Sequence, residues 1–130
     1  MRLAFSDFQK IKSFLPLLKK CLSTLNIKKR SFILELVEVP WSHPIYQYPY
    51  PFPQGLPKIH EHDQKPPEGF GLFYEGRLVC FYSFQTDLGD GWEDPQVHKN
   101  PPERRLAALR FGANILSYVF LQPETKSPSP

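Results

Sequence analysis

The chain has 130 residues, one domain's worth, and its 41% hydrophobic and 22% charged content excludes a disordered polymer. No apolar run approaches the ~18 residues of a membrane span, the amino terminus builds no signal-peptide apolar region, and two cysteines, Cys21 and Cys80, exclude a disulfide framework or a zinc finger. The net charge of +3 is unevenly held: residues 1–30 carry eight Lys/Arg against Asp7 alone, so the remainder is acidic.

Phe8, Ile11, Leu15, Leu18, Leu22 and Leu25 recur at helical spacing, with Ser6 as a candidate N-cap. Pro16 removes a backbone donor and clashes with the preceding turn, which predicts one helix ending near Phe14 and a second opening at Pro16. Residues 31–39 read as a strand ended by Pro40. From Trp41 to Gly69 no periodic element is predicted. Eight prolines lie between Pro40 and Pro67. The aromatics Trp41, Tyr46, Tyr48, Tyr50 and Phe52 predict an ordered loop packed on the body.

The clearest element is a β-hairpin over 70–84, with strands 70–74 and 77–84 joined by Glu75-Gly76. The second strand is apolar almost throughout and is expected to be central, with both faces covered. After an acidic loop comes a helix over 101–120. Asn100 is its expected N-cap, Pro101 its first residue, Glu103 the reciprocal member of a capping box. Leu106, Leu109, Ala113, Leu116 and Phe120 are its expected apolar face, and Ala108 and Gly112 predict close packing on a sheet. The organisation so predicted is a basic helical segment (1–30), one α/β domain (31–121) and a disordered tail (122–130).

Two groups of residues bear chemistry. Asp87, Asp90, Glu93 and Asp94, with Trp92 among them, place hard oxygen donors in a glycine-containing loop, so a divalent metal is one reading. The spacing departs from known calcium loops, and the alternative is a connection in which the aspartates cap turns and Trp92 closes onto the core. His60, His62 and Asp63, with His43 and His98, form the second group, suited to zinc or acid–base work only if the fold assembles a third ligand. Cys80 lies mid-strand with no strained turn around it, so no nucleophile is predicted. No glycine-rich phosphate loop occurs.

Trp41-Ser42-His43-Pro44-Ile45-Tyr46, Gly55-Leu56-Pro57-Lys58-Ile59-His60, Gly76-Arg77-Leu78-Val79, Asp87-Leu88-Gly89-Asp90-Gly91-Trp92-Glu93-Asp94-Pro95, Pro101-Pro102-Glu103-Arg104 and Ala108-Leu109-Arg110-Phe111-Gly112-Ala113-Asn114-Ile115 occur in that order. Together they resemble the bacterial domain of unknown function 4159 family over about residues 35–121. The resemblance implies an α/β, flavodoxin-like or class I glutamine-amidotransferase-like sandwich with no established reaction and no catalytic Cys-His-Glu set. The family domain is longer and begins with further strand–helix units, so this chain is expected to represent its carboxy-terminal part, with a partial sandwich and a short sheet.

The leading expectation is an uncharacterised, cytoplasmic, non-catalytic binding or assembly module. Its ligand-binding candidates are His43, His60, His62, Asp87, Asp90, Trp92, Glu93 and Asp94, in a pocket formed by the His43–His62 and Asp87–Asp94 loops. No cofactor is predicted, with a divalent metal kept as the open alternative. The alternative is a divalent-metal-dependent, hydrolase-like enzyme using His60, His62 and the loop carboxylates. Nucleic-acid binding ranks last, because the basic helices lack interleaved exposed aromatics. Only three strands are countable, so an open strand edge predicts self-association or a protein partner that completes the sheet.

Overall fold

The computed structural model describes Pro16, Lys20 and residues 36–59 and 64–121. The chain divides into two units, Met1–Ile33 and Leu34–Pro130. In the first, Pro16 and Lys20 are helical and exposed. The remainder of the two predicted amino-terminal helices, most of the predicted strand 31–39, and the tail 122–130 lie outside the described residues. The second unit is mixed α/β, a three-stranded antiparallel sheet in the order β1-β2-β3 followed by helices. Its strands are β1 (Val37–Glu38), β2 (Glu68–Tyr74) and β3 (Arg77–Phe84). Its helices are α1 (Leu88–Trp92), α2 (Pro95–His98) and α3 (Pro102–Phe120). Among the described residues no helix is long and apolar enough to cross a membrane.

The hairpin forms where Glu75-Gly76 predicts it. Both turn residues are left-handed, at φ 49° and 76°, the combination a primed two-residue turn requires. Beyond the turn the register shifts: Leu72 faces Cys80 but Phe73 faces Leu78, so Val79 is the extra residue of a β-bulge. Because strand side chains alternate, one inserted residue moves Leu78 from the face of Cys80 and Tyr82 to that of Phe81. Leu78 there joins the main core, while Val79 is left exposed.

The sheet order corrects one expectation. β2 is central and β3 lies at the edge of the sheet formed by the described residues. The apolar content of β3 has another cause, since buried side chains lie on both of its faces. Leu78 belongs to the main core with Phe81 packed against it, and Phe84 lies against Phe70 on the opposite face, centroids 6.3 Å apart.

The main core joins Val39, Ile45, Tyr46, Leu56, Ile59, Leu78, Leu88, Ala108 and Phe111. Phe111 is its aromatic centre, with Tyr46, Phe52 and Phe81 at centroid distances of 5.6, 5.2 and 5.6 Å. The loop 41–59 is packed through Tyr46 and Phe52, but the other three aromatics expected to pack, Trp41, Tyr48 and Tyr50, are exposed. It contains one 3-10 turn, Pro44–Tyr46, and a cis Tyr48–Pro49 bond.

Two expectations about α3 are overturned. Its predicted apolar face is the exposed one: Leu106, Leu109, Leu116 and Phe120 face outward, whereas Ala108, Phe111 and Asn114 are buried. The start also differs. Pro102, not Pro101, takes the first helical position, and no side chain caps the helix. A residue before proline is pushed out of helical geometry, so Pro101 stays extended and the helix opens one residue later. Asn100, the predicted cap, instead donates from Nδ2 to the Asp90 carbonyl at 3.4 Å.

Candidate functional site

The chemistry-bearing residues fall at two places along α3. The first is its carboxy-terminal end. His43 precedes the 3-10 turn, and its Nδ1 accepts from the Ile45 N–H at 3.2 Å. A neutral imidazole that accepts at Nδ1 carries its proton on Nε2. The ring packs on Phe73 and Tyr118, with centroids 5.8 and 5.1 Å away. Burial holds its pKa below the ordinary 6.5, which favours that neutral form. An open cleft of about 410 Å³ lies here, lined by His43, Pro44, Tyr48, Gly76, Ser117, Tyr118 and Leu121. Its volume is that of a small-molecule site, and it offers aromatic walls, an imidazole N–H and hydroxyl groups.

The cleft is held by residues the sequence reading did not single out. Asn114 is fully buried and uses both ends of its amide on the 45–50 segment. Its Nδ2 donates to the Ile45 and Tyr50 carbonyls at 2.9 and 2.7 Å, and its Oδ1 accepts from the Tyr50 N–H at 2.9 Å. This fastens the segment between His43 and Tyr50 to α3. Tyr118 accepts the Leu78 N–H at 3.1 Å, so the bulge, the turn and the helix meet at one wall. The available signal was a lone asparagine in the apolar run Phe111–Leu116; a buried polar side chain must find partners.

The second place is the acidic segment, which folds as α1 and α2. Asp87 caps α1 by accepting from the Asp90 N–H at 3.3 Å, and Asp94 caps α2 by accepting from the Gln96 N–H at 2.9 Å. These are the turn-capping roles that the non-metal reading assigned to aspartates. Gly91 sits directly against Ala108, where any Cβ would collide with the Ala108 methyl group. The predicted close packing of Ala108 is thus made with α1 rather than with the sheet. Trp92 corrects a further expectation. Its ring closes onto α3 over Gly112 and donates from Nε1 to the Ala108 carbonyl at 2.8 Å, yet the residue remains 45% exposed.

His98 lies 2.9 Å from Glu93 Oε2 and 3.4 Å from Asp90 Oδ1. Among the described residues no group of three His, Cys, Asp or Glu side chains is arranged to hold a metal ion. His60 and His62 lie outside the described residues, so their distances to this group are not part of the geometry.

The two predicted loops therefore meet at one point. Ile59 donates its N–H to Thr86 Oγ1 at 2.8 Å and accepts the Asp87 N–H at 3.3 Å, which joins the far end of the loop to the start of the acidic segment. His43 is not drawn in. It contacts α3 at Tyr118, whereas Trp92 contacts it at Ala108, ten residues or on the order of 15 Å along the axis.

Two other groups are altered by burial. The Cys80 thiol is pushed above its ordinary pKa, which disfavours the reactive thiolate. The Tyr46 hydroxyl is pushed well above its ordinary value, first by burial and then by the charge of Glu38. It has no hydrogen-bond partner among the described residues.

The family described as a domain of unknown function (DUF4159) matches residues 27–120, a stretch containing every strand and helix among the described residues of the second unit. Neither a curated protein nor a solved structure matches the chain.

Proposed function

This chain belongs to the DUF4159 family, and on that premise we propose that it is a non-catalytic binding and assembly module whose ligand site is the His43 cleft. One observation carries the reading: the side chains best suited to chemistry are engaged by backbone. His43 accepts from Ile45, Asp87 from Asp90, Asp94 from Gln96, and Asn114 holds three backbone groups. A general base or metal ligand needs its lone pairs directed at a substrate or an ion. What the cleft offers instead is a shape lined by aromatic rings and an imidazole, suited to a small ligand with a flat apolar body and a hydrogen-bond acceptor.

The second candidate surface is the Ile59 end of the same loop with α1 and α2: Asp87, Asp90, Trp92, Glu93 and Asp94. The Ile59–Asp87 bond supports treating these as one surface, separate from the cleft, while the candidates His60 and His62 lie outside the described residues. A cytoplasmic, bacterial setting belongs to the same proposal. So does kinship with the flavodoxin-like, glutamine-amidotransferase-like sandwich. The antiparallel hairpin fits the rim of a mixed sheet rather than its parallel centre. Assembly would use β3, an edge strand among the described residues.

Ligand-observed NMR with benzoate and related aromatic carboxylates tests the cleft. Weak binding by the parent, lost on Ser117→Trp, which fills the cleft, is the expected result; binding that survives this change overturns the assignment. Stoichiometric Zn²⁺, Mn²⁺ or Mg²⁺ after dialysis, with hydrolysis of an ester or phosphoester lost on Asp90→Asn, would replace the module by an enzyme.

A further inference from the structure

Three features of the cleft converge on His43. Its Nδ1 caps the 3-10 turn by accepting the Ile45 N–H at 3.2 Å. Its ring packs on Phe73 of β2 and Tyr118 of α3. The same ring lines the cleft beside Pro44, the first residue of the turn it caps. Only a neutral imidazole can act as that cap, because an imidazolium carries hydrogen on both nitrogens and has no acceptor left. The turn in turn sets a second stretch of the wall. The Gln47 and Tyr48 N–H groups both bond to the Pro44 carbonyl, at 3.0 and 3.2 Å, so the lining residues Pro44 and Tyr48 are tied together through it.

We propose that the cleft takes an uncharged flat ligand only while His43 is neutral, so that acidification releases it. The proposal rests on the cleft being the ligand site, and it adds the charge of the ligand and the control of its binding. Two effects act in the same direction. Protonation withdraws the acceptor from the Ile45 N–H and loosens the wall at His43 and Pro44. Asn114 still fastens the segment at Ile45 and Tyr50, which confines the change to the cleft. Protonation also puts a positive charge on a surface that a bound ligand strips of water, and burying an uncompensated charge is costly. No carboxylate lines the cleft to offset it. Phe73 of β2 cannot titrate, and Tyr118 of α3 and Tyr48 of the loop are neutral phenols near pH 7. In the exposed hairpin turn Glu75 and Arg77 flank Gly76, one charge of each sign. Burial alone lowers the His43 pKa from 6.5. Binding is therefore intact above about pH 6.5 and is lost as pH falls through the folded value. Linkage makes the effect reciprocal: a ligand that prefers the neutral ring pushes the His43 titration to still lower pH.

Benzamide, which has no group titrating between about pH 5 and 8, is the probe. Ligand-observed NMR on the full chain should show its dissociation constant rising roughly 3–10-fold between about pH 8 and about pH 5, the equivalent of one hydrogen bond. The His43 ring signals, followed through the same titration, should shift to a lower midpoint at high benzamide. His43→Asn keeps a capping acceptor and cannot titrate, so whatever affinity it retains should not depend on pH in this range. Equal affinity of the parent at both ends, or a pH dependence that survives His43→Asn, overturns the control by His43 and leaves the cleft as the ligand site. Benzoate bound where benzamide is not overturns the uncharged class and likewise leaves the cleft standing. If neither binds at about pH 8, and the His43 midpoint does not move, the cleft and its control by His43 fall together.

Discussion

The two long faces of α3 differ in a way that their hydropathy inverts. The buried face contains Asn114, a polar residue with no exposed surface, while the outward face carries Leu106, Leu109, Leu116 and Phe120. Burial on the inner face rests on specific complementarity. Ala108 admits Gly91, Phe111 is ringed by three aromatics, and Asn114 matches two carbonyls and an N–H. The outer face has apolar area without such partners among the described residues. A helix can therefore be read correctly as amphipathic and still be turned the wrong way, because apolar area alone does not say which edge meets the rest of its own chain.

Substitutions on the two faces should separate this contrast. The largest losses are expected inside: Phe111→Ala at about 3–5 kcal/mol from the cavity left behind. Asn114→Leu should fall in a similar range, since each backbone group orphaned in the interior costs ~1–3 kcal/mol. Both are read from the midpoint of chemical denaturation. Gly91→Ala should follow at roughly 1–3 kcal/mol, because its new methyl group has no space beside Ala108. Trp92→Ala should lose about 1–2 kcal/mol in the same measurement, less than a fully buried ring, since one hydrogen bond and half of the ring's contact are at stake.

A pH effect should come next, from the cleft. The folded pKa of His43 lies below its unfolded value, so its contribution is fully present above about pH 6.5 and is lost as pH falls through the folded value. Protonation also removes the Nδ1 acceptor from the Ile45 N–H. His43→Asn, which keeps a capping acceptor without titrating, should flatten the pH dependence of the melt in that window. The smallest effect is expected outside: Leu116→Ala should change the stability of the fold by no more than ~0.5 kcal/mol.

The hairpin was legible because Glu75-Gly76 is a local signal, set by the backbone of two residues. The capping aspartates of α1 and α2 were legible for the same reason. The opening of α3 was misread by one residue because two adjacent prolines compete for the first position, and the restriction on the residue before a proline decides between them. Other features depend on partners far along the chain. Asn114 bonds to residues 64 and 69 positions away, and no spacing rule connects them. The bulge at Val79 is likewise invisible in an apolar run, since only the demand of the core for Leu78 reveals it. Of the candidate site residues, the structure engages His43 at the cleft and groups the acidic segment elsewhere. The sequence could not distinguish one pocket from two surfaces without the length of α3 between them.

The Leu78 amide, displaced by the bulge and held by the Tyr118 hydroxyl, gives this molecule a built-in reporter. Its proton can exchange with solvent when the Tyr118 hydroxyl parts from the turn end of the hairpin, an event at the wall of the cleft. Hydrogen exchange at that one amide therefore measures the free energy of local opening there, separately from global unfolding. A ligand seated against Tyr118 would slow the exchange in proportion to its occupancy. The affinity of an unknown small molecule thus becomes measurable at a single backbone position before its chemistry is identified.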